Sequence, residues 1–183
     1  MAVYFVRHGQ TDWNVVARLQ GKSDIPLNDT GRAQAVKTRD LLKEVKMDKI
    51  YCSPLQRAKE TASIINELWH LPIIEDERLI ERGFGKFEGV HRDEIDFANL
   101  WIYDTKPMFE GGEDTASFYA RVTSFLDDIR NEAIENNILL VAHGGVSIPY
   151  QCYFNVGNHV EDLSSLIVDN CAVISYEVEK ETV

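Results

Sequence analysis

Three short apolar runs stop abruptly at residues that a buried strand cannot hold. Ala2 to Val6 leads into Arg7-His8-Gly9, and Lys49 to Cys52 into Ser53-Pro54-Leu55-Gln56-Arg57-Ala58. Ile138 to Leu140 leads into Val141-Ala142-His143-Gly144-Gly145. Each run has the length and composition of a buried strand. Between them the chain reads as helix. Asn28 can cap a helix over Asp29 to Val45, and Ser53 can cap another reaching to about Trp69, with Pro54 at its first position. Pro72 opens an extended segment toward Glu75. Asp114 can cap a helix from about Thr115 to Asn136, where Phe118, Val122, Phe125, Ile129 and Ala133 fall on one face. A helix after Gly145, a last strand from Asn170 to Val178 and a frayed tail from Glu179 to Val183 complete the pattern. This alternation predicts one α/β domain over residues 1–183, a three-layer α/β/α sandwich with a mostly parallel central sheet.

The strand ends carry the chemistry. In a parallel sheet the C-termini of the strands line one edge, and ligands bind in the crevice outside that edge. Arg7, His8, Arg57 and His143 can therefore converge. Two arginines and two histidines in one crevice make an anion site, and the planar guanidinium fork suits phosphate because it donates in pairs.

These pieces occur in a fixed order with others: Asn14, Gln20-Gly21, Asp24, Pro26-Leu27, Gly31, Thr61-Ala62, Glu81, Gly85, Glu88-Gly89 and Gly111-Gly112-Glu113. The ordered set from Val6 to Gly145 resembles the histidine phosphatase superfamily, the phosphoglycerate-mutase-like proteins. The resemblance implies a phosphoglycerate-mutase-like fold, with His8 as a nucleophile that becomes transiently phosphorylated. A neutral imidazole can attack phosphorus through one nitrogen if an acceptor holds the proton on the other. In the family a backbone carbonyl does this. Arg7, Arg57 and His143 would hold the phosphoryl group, where preorganised donors supply much of the catalysis. Asn14, Gln20, Gly21 and the Gly144 backbone would complete substrate binding. Glu81 is the expected general acid and then base. Glu88, seven residues on, is its rival and reads instead as an anchor for the loop around Gly85 and Gly89.

The remaining composition excludes other classes. Net charge is −11, with no basic run, so a nucleic-acid partner is not expected. No apolar run approaches the roughly 18–20 residues a membrane helix needs, and the N-terminus has no secretory pattern. Cys52, Cys152 and Cys171 have no metal spacing and read as reduced cysteines, mostly buried, of a cytoplasmic protein. The five histidines are widely separated, so neither a metal nor a cofactor is implied. His70, His91 and His159 read as surface residues, with His91 near the pocket. No feature of the chain fixes an oligomeric state.

The reading is thus a phosphatase acting on a small phosphorylated metabolite. The alternatives are a cofactor-dependent phosphoglycerate mutase and a catalytically inactive binding protein on the same fold. A mutase must hold a second anion, and the family's mutases carry extra cations between the acid and the second histidine. Here that interval holds only Arg82, Lys86, Arg92, Lys106, Arg121 and Arg130. The variable wall is expected at Lys86 to Gly112, helped by Gly145 to Asp162. Its acids (Glu88, Asp93, Glu94, Asp96, Asp104, Glu110) outnumber its cations, so a second anionic group on the substrate is expected to be repelled. Phe97, Trp101, Tyr103 and Phe109 are expected to pack a helix near Asp93 to Tyr103 onto the core.

Overall fold

A computed structural model describes residues 1–103, 106, 109–154 and 162–179. His159, Asp104 and the tail segment 180–183 lie outside the described residues, as does part of the wall from Gly145 to Asp162. The elements run β1 (Ala2–Arg7), α1 (Asp12–Val15), α2 (Asp29–Leu41), β2 (Lys49–Cys52), α3 (Gln56–Ile65), β3 (Ile73–Glu75), α4 (Thr115–Ala133), β4 (Ile138–Ala142), α5 (Ser147–Tyr153) and β5 (Val173–Glu177). Within the described residues the strands form one sheet of order β3-β2-β4-β1-β5. Every pairing is parallel except the edge pair β1–β5, so the sheet is mostly parallel as expected.

Both faces are covered, which is why β4 is buried at all five positions. Alternation along the strands divides the core in two. Val3, Phe5, Leu140 and Ala142 pack with α4 and α5 on one side, while Val6, Ile50, Cys52 and Val141 pack with α3 on the other. On α4 the expected face of Phe118, Val122, Phe125, Ile129 and Ala133 is buried, each large side chain contributing roughly 1.5–3 kcal/mol. Asp114 caps that helix through the Ser117 N–H, and Asn28 caps α2 through the Gly31 N–H. No helix of the described residues is long and apolar enough to cross a membrane.

Several elements differ from the sequence reading, among them α4, which ends at Ala133 and not near Asn136. Helix α2 stops at Leu41, because the chain must turn to bury Leu42 and Met47 before β2. Helix α3 starts at Gln56, not at Ser53–Pro54. Its first amide is held by the Asp24 carboxylate, 2.8 Å from the Gln56 nitrogen, and Ser53 is engaged elsewhere. It also ends at Ile65, followed by a 3₁₀ turn over Asn66–Leu68. No α-helix forms near Asp93 to Tyr103. Two short 3₁₀ turns, Arg92–Glu94 and Asn99–Trp101, stand there, because His91 and Asp96 side chains accept from backbone amides and compete with a continuous helix. Leu100 and Trp101 are buried nonetheless, while Tyr103 is exposed. The last strand begins at Val173, since Asn170 and Cys171 serve the loop beside His8.

Candidate active site

The C-terminal edge of β1, β2 and β4 opens into a cleft of about 490 Å³. Arg7, His8, Asn14, Gln20, Gly21, Arg57, Glu81 and Gly144 all line it. His143 packs edge-on against His8, with ring centroids 5.2 Å apart. The structure therefore brings together every site residue expected from the sequence.

His8 follows the last residue of β1, and its N–H continues the ladder to the Ala142 carbonyl. Its ring Nδ1 lies 2.7 Å from the Gly9 carbonyl oxygen, so Nδ1 carries the proton and donates. That leaves a lone pair on Nε2, toward which Arg57 Nε points at 3.3 Å. Gly9 is fixed in turn: its N–H donates to Thr61 Oγ1, whose hydroxyl donates to the Arg57 carbonyl. Burial holds the His8 imidazole well below its usual range, helped by the charges of Arg57 and Arg7 and opposed by the Gly9 carbonyl. The ring is neutral at pH 7, with its single proton on Nδ1.

Arg57, in the first turn of α3, is fully buried. Its Nη1 donates to the Ser23 carbonyl and its Nη2 to the Gly21 carbonyl, tying down the loop after Gln20. Burial lowers its pKa to about 10, which still leaves it charged. Arg7 donates through Nη1 to the Val168 carbonyl, while its buried Nε has no protein partner. Gln20 Oε1 is likewise buried without one. The Asn14 Oδ1 is taken by the Thr11 N–H and hydroxyl, which leaves its Nδ2 as the donor for the cleft.

Glu81 is almost fully buried. Its Oε2 accepts from the Gly145 N–H at 2.9 Å and its Oε1 from the Arg82 N–H at 2.8 Å. Only glycine allows this approach, since a Cβ at 145 would lie 2.2 Å from Glu81 Oε1. Burial raises the carboxyl above its usual range, outweighing those two amides and the charges of Arg57 and Arg7. Glu88 differs. Its carboxylate clasps the N–H groups of Lys22, Ser23 and Phe84 and the Ser23 hydroxyl, so it anchors the Lys22–Ser23 segment as well as the turn around Gly85 expected for it.

The wall corrects the sequence reading. Of Lys86 to Gly112, the described residues lining the cleft are Arg92, Phe97 and Trp101, joined by Trp13 and Arg18 from the opposite segment. None of Glu88, Asp93, Glu94, Asp96 or Glu110 lines it. Among the described residues, the acids expected to repel a second anion face elsewhere. His91 is partly exposed and outside the lining. Sequence reasoning missed Asn170, whose Nδ2 donates to the His8 carbonyl at 2.8 Å, and Asp169, which lines the cleft. The Asp-Asn pair before the last strand was a turn signal that could have marked them.

His143 is also held well below its usual range, by burial first and then by Arg57, His8 and Arg7. Below about pH 6.5 the unfolded chain therefore binds two protons, at residues 8 and 143, that the folded chain refuses. Stability is lost as pH falls, at no more than about 3 kcal/mol per pH unit for the pair. Glu81 acts oppositely, since the folded state keeps its proton above the usual carboxyl range, and offsets at most one of the two. The urea midpoint should accordingly drop between pH 6.5 and 5. A midpoint that stays level or rises across that window would contradict the neutral, buried state of both rings.

A neutral imidazole flanked by the buried Arg57, the half-buried Arg7 and a protonatable carboxyl defines an anion site equipped for phosphoryl chemistry. A model of the histidine phosphatase superfamily (branch 1) matches residues 3–183, and the chain belongs to that family. It is 41% identical over 143 residues to the uncharacterized phosphatase PhoE of Bacillus subtilis, covering 78% of this chain and 72% of that one. It is 34% identical over 180 residues to phosphoserine phosphatase 1 of Hydrogenobacter thermophilus, covering 94% and 83%. Among solved structures, the mycobacterial glucosyl-3-phosphoglycerate phosphatase superposes with a TM-score of 0.80 at 28% identity, covering 95% and 88%.

Proposed function

We propose that the protein is a phosphomonoesterase that hydrolyses a small phosphorylated metabolite through a phosphohistidine on His8. The observation that carries this is the His8 ring, with its Nδ1 proton given to the Gly9 carbonyl and its Nε2 lone pair turned toward Arg57. Nε2 attacks phosphorus, the bond from phosphorus to the ester oxygen breaks, and the departing oxygen takes the Glu81 proton. Glu81, now ionised, takes a proton from water as that water attacks phosphorus. The P–N bond breaks, phosphate leaves and both side chains return to their starting states. Arg7, Arg57 and Asn14 hold the equatorial oxygens, where charge is spread during transfer.

Hydrolysis is favoured over mutase chemistry by the placement of the cations between Glu81 and His143. Arg82 is buried, donating to the Glu113 and Leu100 carbonyls beneath Trp101 and Phe109. Arg121 is bound to Glu113 and to three carbonyls. Of that interval's cations, only Arg92 lines the cleft among the described residues. The free cysteines suit a reducing, cytoplasmic setting.

The remainder of the substrate lies against Trp13, Phe97 and Trp101. Arg18 and Arg92 stand at this wall, so a second anionic group does not meet the repulsion the sequence suggested. Phosphate release should therefore be screened over esters with neutral, carboxylated and phosphorylated remainders, with bisphosphoglycerate-dependent mutase activity measured alongside. Turnover of a monoester to free phosphate is expected, and mutase activity exceeding hydrolysis would overturn the proposal. The same screen should give unchanged rates in EDTA, because Arg7 and Arg57 supply the charge that a divalent ion supplies elsewhere. Loss of activity on chelation, restored by added metal, would contradict a metal-free mechanism.

A further inference from the structure

Ser53 ends the apolar run of β2, and the sequence offers it as a helix cap. The structure gives it another use. Its N–H donates to the Val141 carbonyl at 3.0 Å, continuing the β2–β4 ladder past Cys52. This holds Ser53 beside the end of β4, where His143 follows. The Ser53 Oγ lies 2.7 Å from His143 Nε2, and both side chains are completely buried.

We propose that Ser53 is a positioning residue whose hydroxyl fixes His143 as the Nδ1–H tautomer, making the second histidine a hydrogen-bond donor to the transferring phosphoryl group. The proposal rests on the phosphohistidine reading for its catalytic consequence, but not for the tautomer. A serine hydroxyl has one proton to give and two lone pairs. The Leu55 N–H, 3.3 Å away, already donates to one lone pair. If His143 Nε2–H donated to the other, the hydroxyl proton would have no acceptor and His143 Nδ1 would present a bare lone pair. Nδ1 has no protein partner in either tautomer, so the difference between them is the one unsatisfied buried hydroxyl, at a cost of about 1–3 kcal/mol. If instead the hydroxyl donates to Nε2, Ser53 is satisfied and the ring proton sits on Nδ1.

That Nδ1 is buried and has no protein partner. It belongs to a ring packed edge-on to His8, and the next residue, Gly144, abuts the guanidinium of Arg7, whose Nε is also unpartnered. Two unpartnered donors next to the attacking imidazole are what an incoming phosphoryl oxygen satisfies. Because the ring is held neutral, it has one proton only, and its position decides whether His143 attracts or repels that oxygen. The two histidines thus have the same tautomer for opposite ends: Gly9 holds the His8 proton away from the reaction, and Ser53 keeps the His143 proton available to it.

The tautomer can be read directly by long-range proton–nitrogen NMR on protein with ¹⁵N-labelled histidine, with His143 assigned by difference from His143→Gln. Wild-type His143 should show a protonated Nδ1 and an unprotonated Nε2, and orthovanadate should perturb the Nδ1 signal. Ser53→Ala should mix or invert the tautomers and weaken both vanadate binding and kcat/KM by about tenfold, less than the 10²–10³ typical of deleting a donor outright. Ser53→Thr, which keeps the hydroxyl, should restore the tautomer. Wild-type protein with its His143 proton on Nε2 overturns the proposal without any variant having to fold. An unchanged tautomer in Ser53→Ala overturns it too. Finding the Nδ1–H tautomer in a protein that forms no phosphoenzyme would support the hold of Ser53 on His143 and count against the covalent step instead.

Discussion

Replacing His8 by alanine is expected to lower kcat by a factor of about 10⁴ or more, the scale on which loss of a nucleophile acts in covalent hydrolases. The buried hydroxyls nearby are already engaged. The Thr11 hydroxyl is committed to Asn14 and the Ser53 hydroxyl to His143, both buried. A water could still attack a phosphate held by Arg7 and Arg57, so some residual hydrolysis is expected. The fold should survive, because the His8 backbone bonds to Ala142 and Asn170 do not involve the ring. Removing a buried neutral imidazole should also flatten the acid sensitivity by about one of the two protons. Phosphate release and urea midpoints on the same preparation check both effects. A His8→Ala protein with kcat within tenfold of wild type would rule out a role for this ring in covalent chemistry.

The second large effect concerns Glu81. A general acid matters most when the departing oxygen is a poor leaving group, so Glu81→Gln should slow hydrolysis of an alkyl phosphate by about 10² or more and that of an activated aryl phosphate much less. The comparison is needed because glutamine also disturbs the site. Both Glu81 oxygens accept backbone N–H groups, from Gly145 and Arg82, and an amide can accept only through its one oxygen. Misplacement would harm both substrates alike, whereas loss of the proton donor harms the alkyl ester selectively. Glu88→Gln is the control, since that carboxylate is spent on Lys22, Ser23 and Phe84. It should lower stability without changing the dependence on leaving group. The reverse result, selectivity in Glu88→Gln and none in Glu81→Gln, would exchange the roles of the two carboxylates.

Much of the site was legible because strand ends are local signals. An apolar run that stops at Arg7-His8, or one that stops just short of His143, fixes both the strand and the edge where its last side chains sit. The parallel pairing of β1, β2 and β4 then brings these residues together. Helix α4 was legible for a similar reason, with a cap and an apolar stripe of unbroken helical period. What escaped depends on partners far away in the chain. Ser53 and Pro54 are a good helix start by local preference, yet Asp24 supplies the cap and His143 claims the serine. The wall after Glu81 has no clear period, and its buried Arg82, bound to the Glu113 and Leu100 carbonyls, cannot be told from a surface arginine by composition. Counting its acids failed because charge on a segment says nothing about which face meets the cleft.

The central claim is the covalent intermediate on His8, and rapid quenching tests it most directly. Enzyme mixed with radiolabelled phosphate ester should carry label within the first turnover. The label should be stable in alkali, labile in acid and confined to the peptide containing His8, and it should be absent from His8→Ala. Label on a serine, on an aspartate or on His143 would contradict the account.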